Sequence, residues 1–147
     1  MCAYSFTVFV SVFQLLPTAP YHILDLGGST AVAGLFLGLL TYSSALSAPI
    51  TGTIGDRVGQ RRVLMVVSLV LAAFSASYAL ISSVAVLLAV VFVHGLFWSA
   101  LLSASGAYMT STIPEARRAE GIGYWGLTSA LSVAAAPALG FWVYRHG

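Results

Sequence analysis

Residues 52–62 read Gly52-Thr53-Ile54-Gly55-Asp56-Arg57-Val58-Gly59-Gln60-Arg61-Arg62. They gather Asp56, Arg57, Arg61 and Arg62 in a chain otherwise nearly free of charge. A second cluster holds Glu115, Arg117, Arg118 and Glu120, and only Asp25 and Arg145 lie elsewhere. The stretches 1–24, 26–55, 63–114 and 121–144 carry no charged residue. A membrane helix needs about 20 apolar residues to cross a hydrocarbon core of roughly 30 Å. Each stretch is long enough, so the pattern predicts an all-α integral membrane protein whose two clusters meet water.

Composition points the same way. Hydrophobic residues make up 59% of the chain and charged residues 7%, against about 25% charged in a soluble domain. Mean hydropathy is +0.96. Lysine is absent. The arginines read as topology signals rather than as a nucleic-acid surface. Cys2 is the single cysteine, which excludes a disulfide within the chain. The first apolar run lacks a positive leader and is followed by further spans, so it reads as a helix and not as a signal peptide.

Five helices are expected, at about 2–24, 30–51, 61–81, 85–111 and 119–144. Pro17 and Pro20 lie near the end of the first, a tolerated device in membranes. The stretch 63–114 is too long for one span at 1.5 Å per residue, and Ser82-Ser83 is the expected hairpin. Five arginines fall on the 2–3 and 4–5 connections and only Arg145 on the other side. The positive-inside rule then places both clusters in the cytoplasm.

In residues 52–62 the glycines suit a tight turn between closely packed helices. Asp56 suits a helix N-terminus, and the arginines can bridge to carboxylates or lipid phosphates. This stretch resembles the G-x-L-x-D-R-x-G-R-R/K loop signature of the major facilitator superfamily. The match falls at Gly52, Asp56, Arg57, Gly59 and Arg61, with Ile54 for leucine, Gln60 for the first basic position and Arg62 extending the run. Leu16-Pro17-Thr18-Ala19-Pro20 with Asp25-Leu26-Gly27-Gly28-Ser29 is similar to the end of helix 1 in bacterial drug and sugar efflux members. Ile113-Pro114-Glu115 through Gly121-Ile122-Gly123-Tyr124 is similar to their 4–5 loop. Ala136-Pro137-Ala138-Leu139-Gly140 resembles the helix 5 motif G-P-x-x-G, carried here by Pro137 and Gly140, with Ala136 in place of the first glycine.

The resemblance implies secondary transport by alternating access, with export of a small organic molecule and protons as the counter-flowing ion. It implies the inner cell membrane as location, residues 52–62 as a conformational-switch loop, and no cofactor or metal. It also implies twelve helices in two halves with substrate between them. On that pattern the chain is a partial N-terminal half, its partners being the lipid bilayer, the substrate and the missing C-terminal half. One departure bears on coupling: where many members carry R-x-x-Q-G in helix 4, this chain has Val91-Phe92-Val93-His94-Gly95.

Four residues are candidates for the substrate cavity: Gln14, His94, Trp98 and Tyr124. His94, Trp98 and Ser105 share a helical face, and an ionisable group inside a span is a functional candidate. The plainer alternative is a neutral histidine bonded to a neighbouring helix. Thr128 and the serines of the fourth and fifth helices read more readily as packing residues. Ala31, Gly34, Gly38 and Ala45 are expected to pack the second helix against a neighbour. The aliphatic third helix is expected to face lipid, and Tyr21, Trp142 and Tyr144 to lie at the membrane interface.

Enzyme signatures are lacking. The sequence shows no metal-ligand spacing and no carboxylate pair inside a span. Gly121-x-Gly123-x-x-Gly126 has dinucleotide-loop spacing but opens a membrane helix without a preceding strand. The rival to a transporter is a non-transporting membrane helix module or gene remnant that only associates with another membrane chain.

Overall fold

The computed structural model describes residues 2–78 and 80–146; the side chains of Cys2 and Tyr144, and with them the interface placement of Tyr144, lie outside the described residues. The fold is all-helical. It comprises α1 (Cys2–Phe13), α2 (Leu15–Asp25), α3 (Thr30–Val58), α4 (Gln60–Tyr78), α5 (Val84–Thr112), a 3-10 turn (Glu115–Arg117) and α6 (Arg118–His146). Five spans among the described residues are long and apolar enough to cross a membrane, α1 and α2 together forming the first. Its break falls at Gln14, just before Pro17, whose ring and missing N–H exclude a regular turn there.

The helix ends follow from local chemistry. Gly27 takes φ +83°. The Gly28 N–H donates to the Ile23 carbonyl at 2.8 Å and the Gly27 N–H to that of Leu24 at 2.9 Å, closing α2 with a Schellman motif. Ser29 caps α3 by accepting from the Val32 N–H at 3.3 Å.

Residues 52–58, expected as a loop, are instead the last two turns of α3. The whole connection to α4 is Gly59, at φ +96°. A single glycine suffices because that backbone conformation is open to it and not to L side chains. Gly52 and Gly55 are helical, and a Cβ on Gly55 would collide with the Gln60 side chain. The third span also stops at Tyr78, short of the expected residue 81. A short connection through Ser82 and Ser83 follows, and the Leu87 N–H donates to the Ser83 carbonyl at 3.0 Å.

The chain forms two compact units, residues 1–19 with 108–147 and residues 20–107. In the second unit α3 and α5 meet along a seam of small polar residues. Ser47 Oγ donates to the Leu96 carbonyl at 3.3 Å, and Thr51 Oγ1 and Ser99 Oγ lie 3.3 Å apart. A Cβ on Gly95 would collide with Ser43 and the Leu40 carbonyl, so the backbones touch there. The core beside the seam holds Phe36, Leu71, Leu87, Val91 and Leu101, all fully buried. Ala31, Gly34, Gly38 and Ala45, expected to pack, are exposed; the seam runs along the other face of α3. The α4 helix is also two-sided. Met65, Val66 and Leu69 are exposed, while Leu64, Val67, Leu71 and Tyr78 are buried.

In the first unit the small residues Ser132, Ala136 and Gly140 recur at every fourth position of α6. Ser132 Oγ donates to the Phe6 carbonyl at 3.4 Å. Ala136 is fully buried, and a Cβ on Gly140 would stand 2.9 Å from the Gln14 carbonyl. Small residues let membrane helices approach to van der Waals contact.

Candidate functional site

His94 projects from the middle of α5 into the second unit and is 1% exposed. Its ring stacks on Phe74 of α4 at 5.6 Å between centroids. Nδ1 lies 3.3 Å from the Tyr78 hydroxyl, one turn along the same helix. Nε2 is buried with no hydrogen-bond partner among the described residues. A buried polar atom left unbonded costs roughly 1–3 kcal/mol, a cost that any group bonding it would relieve. Phe74 and Tyr78 were not singled out from sequence. Their i, i+4 spacing on one helix was the only signal, and many apolar pairs share it.

Trp98 lies one turn beyond His94 and is half-buried. Gln14 and Tyr124 belong to the other unit. Gln14 is half-buried at the break between α1 and α2. Its carbonyl accepts from Thr18 Oγ1 at 2.7 Å. Tyr124 is 58% exposed, early in α6. The structure thus pairs His94 with Trp98 on one helix and places Gln14 and Tyr124 in the unit where α1 and α6 pack.

The helical turn around Gly59 has a specific chemistry. Asp56 Oδ1 accepts from Gln60 Nε2 at 3.0 Å, bridging the last turn of α3 to the first residue of α4. Asp56, expected to meet a helix N-terminus, stands instead in the last turn of α3 and reaches the start of α4 only through the Gln60 side chain among the described residues. Arg57, Arg61 and Arg62 are exposed and, among the described residues, form no ion pair. The other cluster pairs internally. Arg117 binds Glu120 through two parallel bonds, at 2.9 and 3.0 Å, and Arg118 lies 3.9 Å from Glu115. Arg117 with Glu120 and Arg118 with Glu115 are both exposed pairs of adjacent turns, the kind that contributes little to stability.

Pro137 sits inside α6, where it removes one backbone donor. Gly140, one turn later, makes the close approach to Gln14 described above. The helix 5 motif is thus the place where α6 meets the broken first span.

The family model of the Major Facilitator Superfamily matches residues 1–147. The chain belongs to the Major Facilitator Superfamily. Its five spans and all-helical fold agree with an N-terminal portion of a superfamily transporter. Superfamily membership makes it a multi-pass membrane protein of a transporter class rather than an enzyme. The bilayer and a small-molecule substrate are its natural surroundings.

Proposed function

We propose that the chain contributes to secondary transport by alternating access, exporting a small organic molecule across the inner cell membrane against a counterflow of protons. The observation that carries this reading is the superfamily match along residues 1–147. The efflux direction rests on the resemblance at residues 16–29 and 113–124. Residues 1–147 form a partial N-terminal transmembrane domain, and transport requires a second half, because superfamily sites lie between two halves near the midplane. Both arginine clusters face the cytoplasm, in keeping with the positive-inside rule.

Residues Gly52 to Arg62 act as the conformational switch. Gly59 is the hinge, and the Asp56–Gln60 bond spans it. His94 and Trp98 in the second unit, and Gln14 and Tyr124 in the first, are the candidates for contact with substrate. His94 offers Nε2, while Tyr78 holds the opposite ring nitrogen.

The test is flux in proteoliposomes made with the complete transporter. Candidate drugs and sugars are loaded and an inward proton gradient is imposed. Gradient-dependent export of one of them, abolished by a protonophore, is the expected result. Export that ignores the gradient would remove the proton from the scheme, and uptake alone would reverse the direction.

A further inference from the structure

A groove of about 420 Å³ opens on the second unit between the end of α3, the start of α4 and the middle of α5. The volume falls within the roughly 300–1,000 Å³ of small-ligand pockets. Its walls include Ile54, Val58, Val63, Val66 and Phe97, and its two polar members are Thr51 and Arg62. The Thr51 hydroxyl is already engaged, donating to the Ala48 carbonyl at 3.2 Å and meeting Ser99 Oγ at 3.3 Å. Arg62 is therefore the one charged group and the one unsatisfied polar side chain on the wall. It is exposed and forms no ion pair among the described residues. Ile54, Val58 and Val66 are exposed as well, so the groove is open along its side and not enclosed in a helix bundle.

An occupant that satisfies this wall has a long apolar body and one anionic end. Arg62 also stands in the first turn of α4, next to the Gln60 and Arg61 N–H groups that precede the helix's first backbone bond, donated by Arg62 to Gly59 at 3.1 Å. Helix N-termini favour phosphate. Basic pockets between membrane helices bind anionic lipid headgroups. We infer that this groove is a binding site for an anionic phospholipid, one acyl chain lying along Val58, Val66 and Phe97 and the phosphate held by Arg62 at the start of α4. The inference does not depend on the direction or coupling of transport. Lipid held there rests against both helices joined by Gly59.

The protein is extracted in mild detergent in the form in which it is made, delipidated, and titrated with phosphatidylglycerol or phosphatidylcholine of identical chains. Bound lipid is counted by native mass spectrometry. Phosphatidylglycerol is expected to bind about fivefold more tightly than phosphatidylcholine, the effect of one arginine near a lipid phosphate. Arg62→Gln should erase that preference. Arg61→Gln removes the same charge from the same turn but not from the groove, and should change it less than twofold. Val66→Trp should fill the groove and lower binding of both lipids; if that variant does not fold, Val66→Phe takes its place. Glycerol phosphate, the headgroup chemistry without chains, should not bind. Equal binding of the two lipids would overturn the proposal. So would equal effects of Arg61→Gln and Arg62→Gln, which would mean surface potential alone. Binding that ignores the filled groove, or a folded protein that takes up no lipid because another helix covers Val66, would overturn it as well.

Discussion

His94 does two jobs that a substitution can separate. Its ring fills space against Phe74, and its Nε2 is an unused polar atom. His94→Phe keeps an aromatic ring of similar size, and near volume-conserving swaps usually cost under about 1.5 kcal/mol. It removes Nε2. If Nε2 bonds the substrate, losing a bond of about 1–1.5 kcal/mol should lower transport roughly tenfold, while the buried Tyr78 hydroxyl, left without Nδ1, lowers stability by about 1–3 kcal/mol. Unchanged flux would reduce His94 to a packing residue. Gly95, its neighbour, is the opposite case. A methyl there meets the Ser43 side chain and the Leu40 carbonyl, and backbone cannot swing aside. Gly95→Ala should therefore destabilise the protein by about 1–3 kcal/mol, the usual range for overpacking. A detergent melting curve identical to that of the parent would show that α3 and α5 do not touch at Gly95.

The α3–α4 junction shows what a helix pair asks of one residue and what sequence reading makes of it. Gly59 at φ +96° is the entire connection, so Gly59→Ala forces a backbone region that L residues avoid, at about 1–3 kcal/mol. Transport and melting temperature should both fall; an unaffected melting temperature would mean the junction relaxes freely. Asp56→Asn is different. The asparagine oxygen still accepts from Gln60, and exposed changes of this kind stay within about 0.5 kcal/mol. Lost charge between two helix ends is worth about 0.3–1 kcal/mol, more when partly buried. Shifting a balanced two-state equilibrium by up to about 1 kcal/mol changes it by up to about fivefold. Expression should hold and transport should fall; normal flux in Asp56→Asn would exclude a switching role. The span count and the all-helical class were legible because charge is confined to short clusters, and hydrocarbon length converts that spacing directly into helices. Which face of each helix packs was not legible. A helix that is apolar all round carries no periodicity to read, and lipid is as apolar as a helix partner. Small residues stand on both sides of α3, and only the structure separates the exposed Gly34 and Gly38 from the seam of Ser43, Ser47 and Thr51. The extension of α3 through Val58 was hidden for a related reason, since Gly52 and Gly55 signal a turn in sequence yet sit inside a helix.

A chain whose described residues form five candidate spans must be judged by what covers its surfaces. Topology comes first. Cysteine labelling at Gln60 and Ala119, after replacement of Cys2, should fail from outside intact cells; strong labelling by an impermeant reagent at either position would invert the orientation. Self-sufficiency is the harder question. Tyr124 is 58% exposed and Tyr42 64% exposed, and each carries a hydroxyl. Polar groups facing hydrocarbon without a partner cost several kcal/mol by water-to-alkane transfer and about 1–3 by mutational data. Large exposed side chains such as Leu46, Ile50 and Leu131 carry no such penalty in lipid. The polar positions are therefore the ones that call for a second half or a second copy. Alternating access makes the same demand kinetically, because one half must rock against another around the site. We expect residues 1–147, expressed and purified by themselves, to carry no flux and to be recovered as oligomers. Co-expression with a matching C-terminal half should restore both a defined stoichiometry and transport. Substrate flux above empty liposomes from the 147-residue chain by itself, in a preparation free of any full-length transporter, would show that it builds a complete pathway from its own helices.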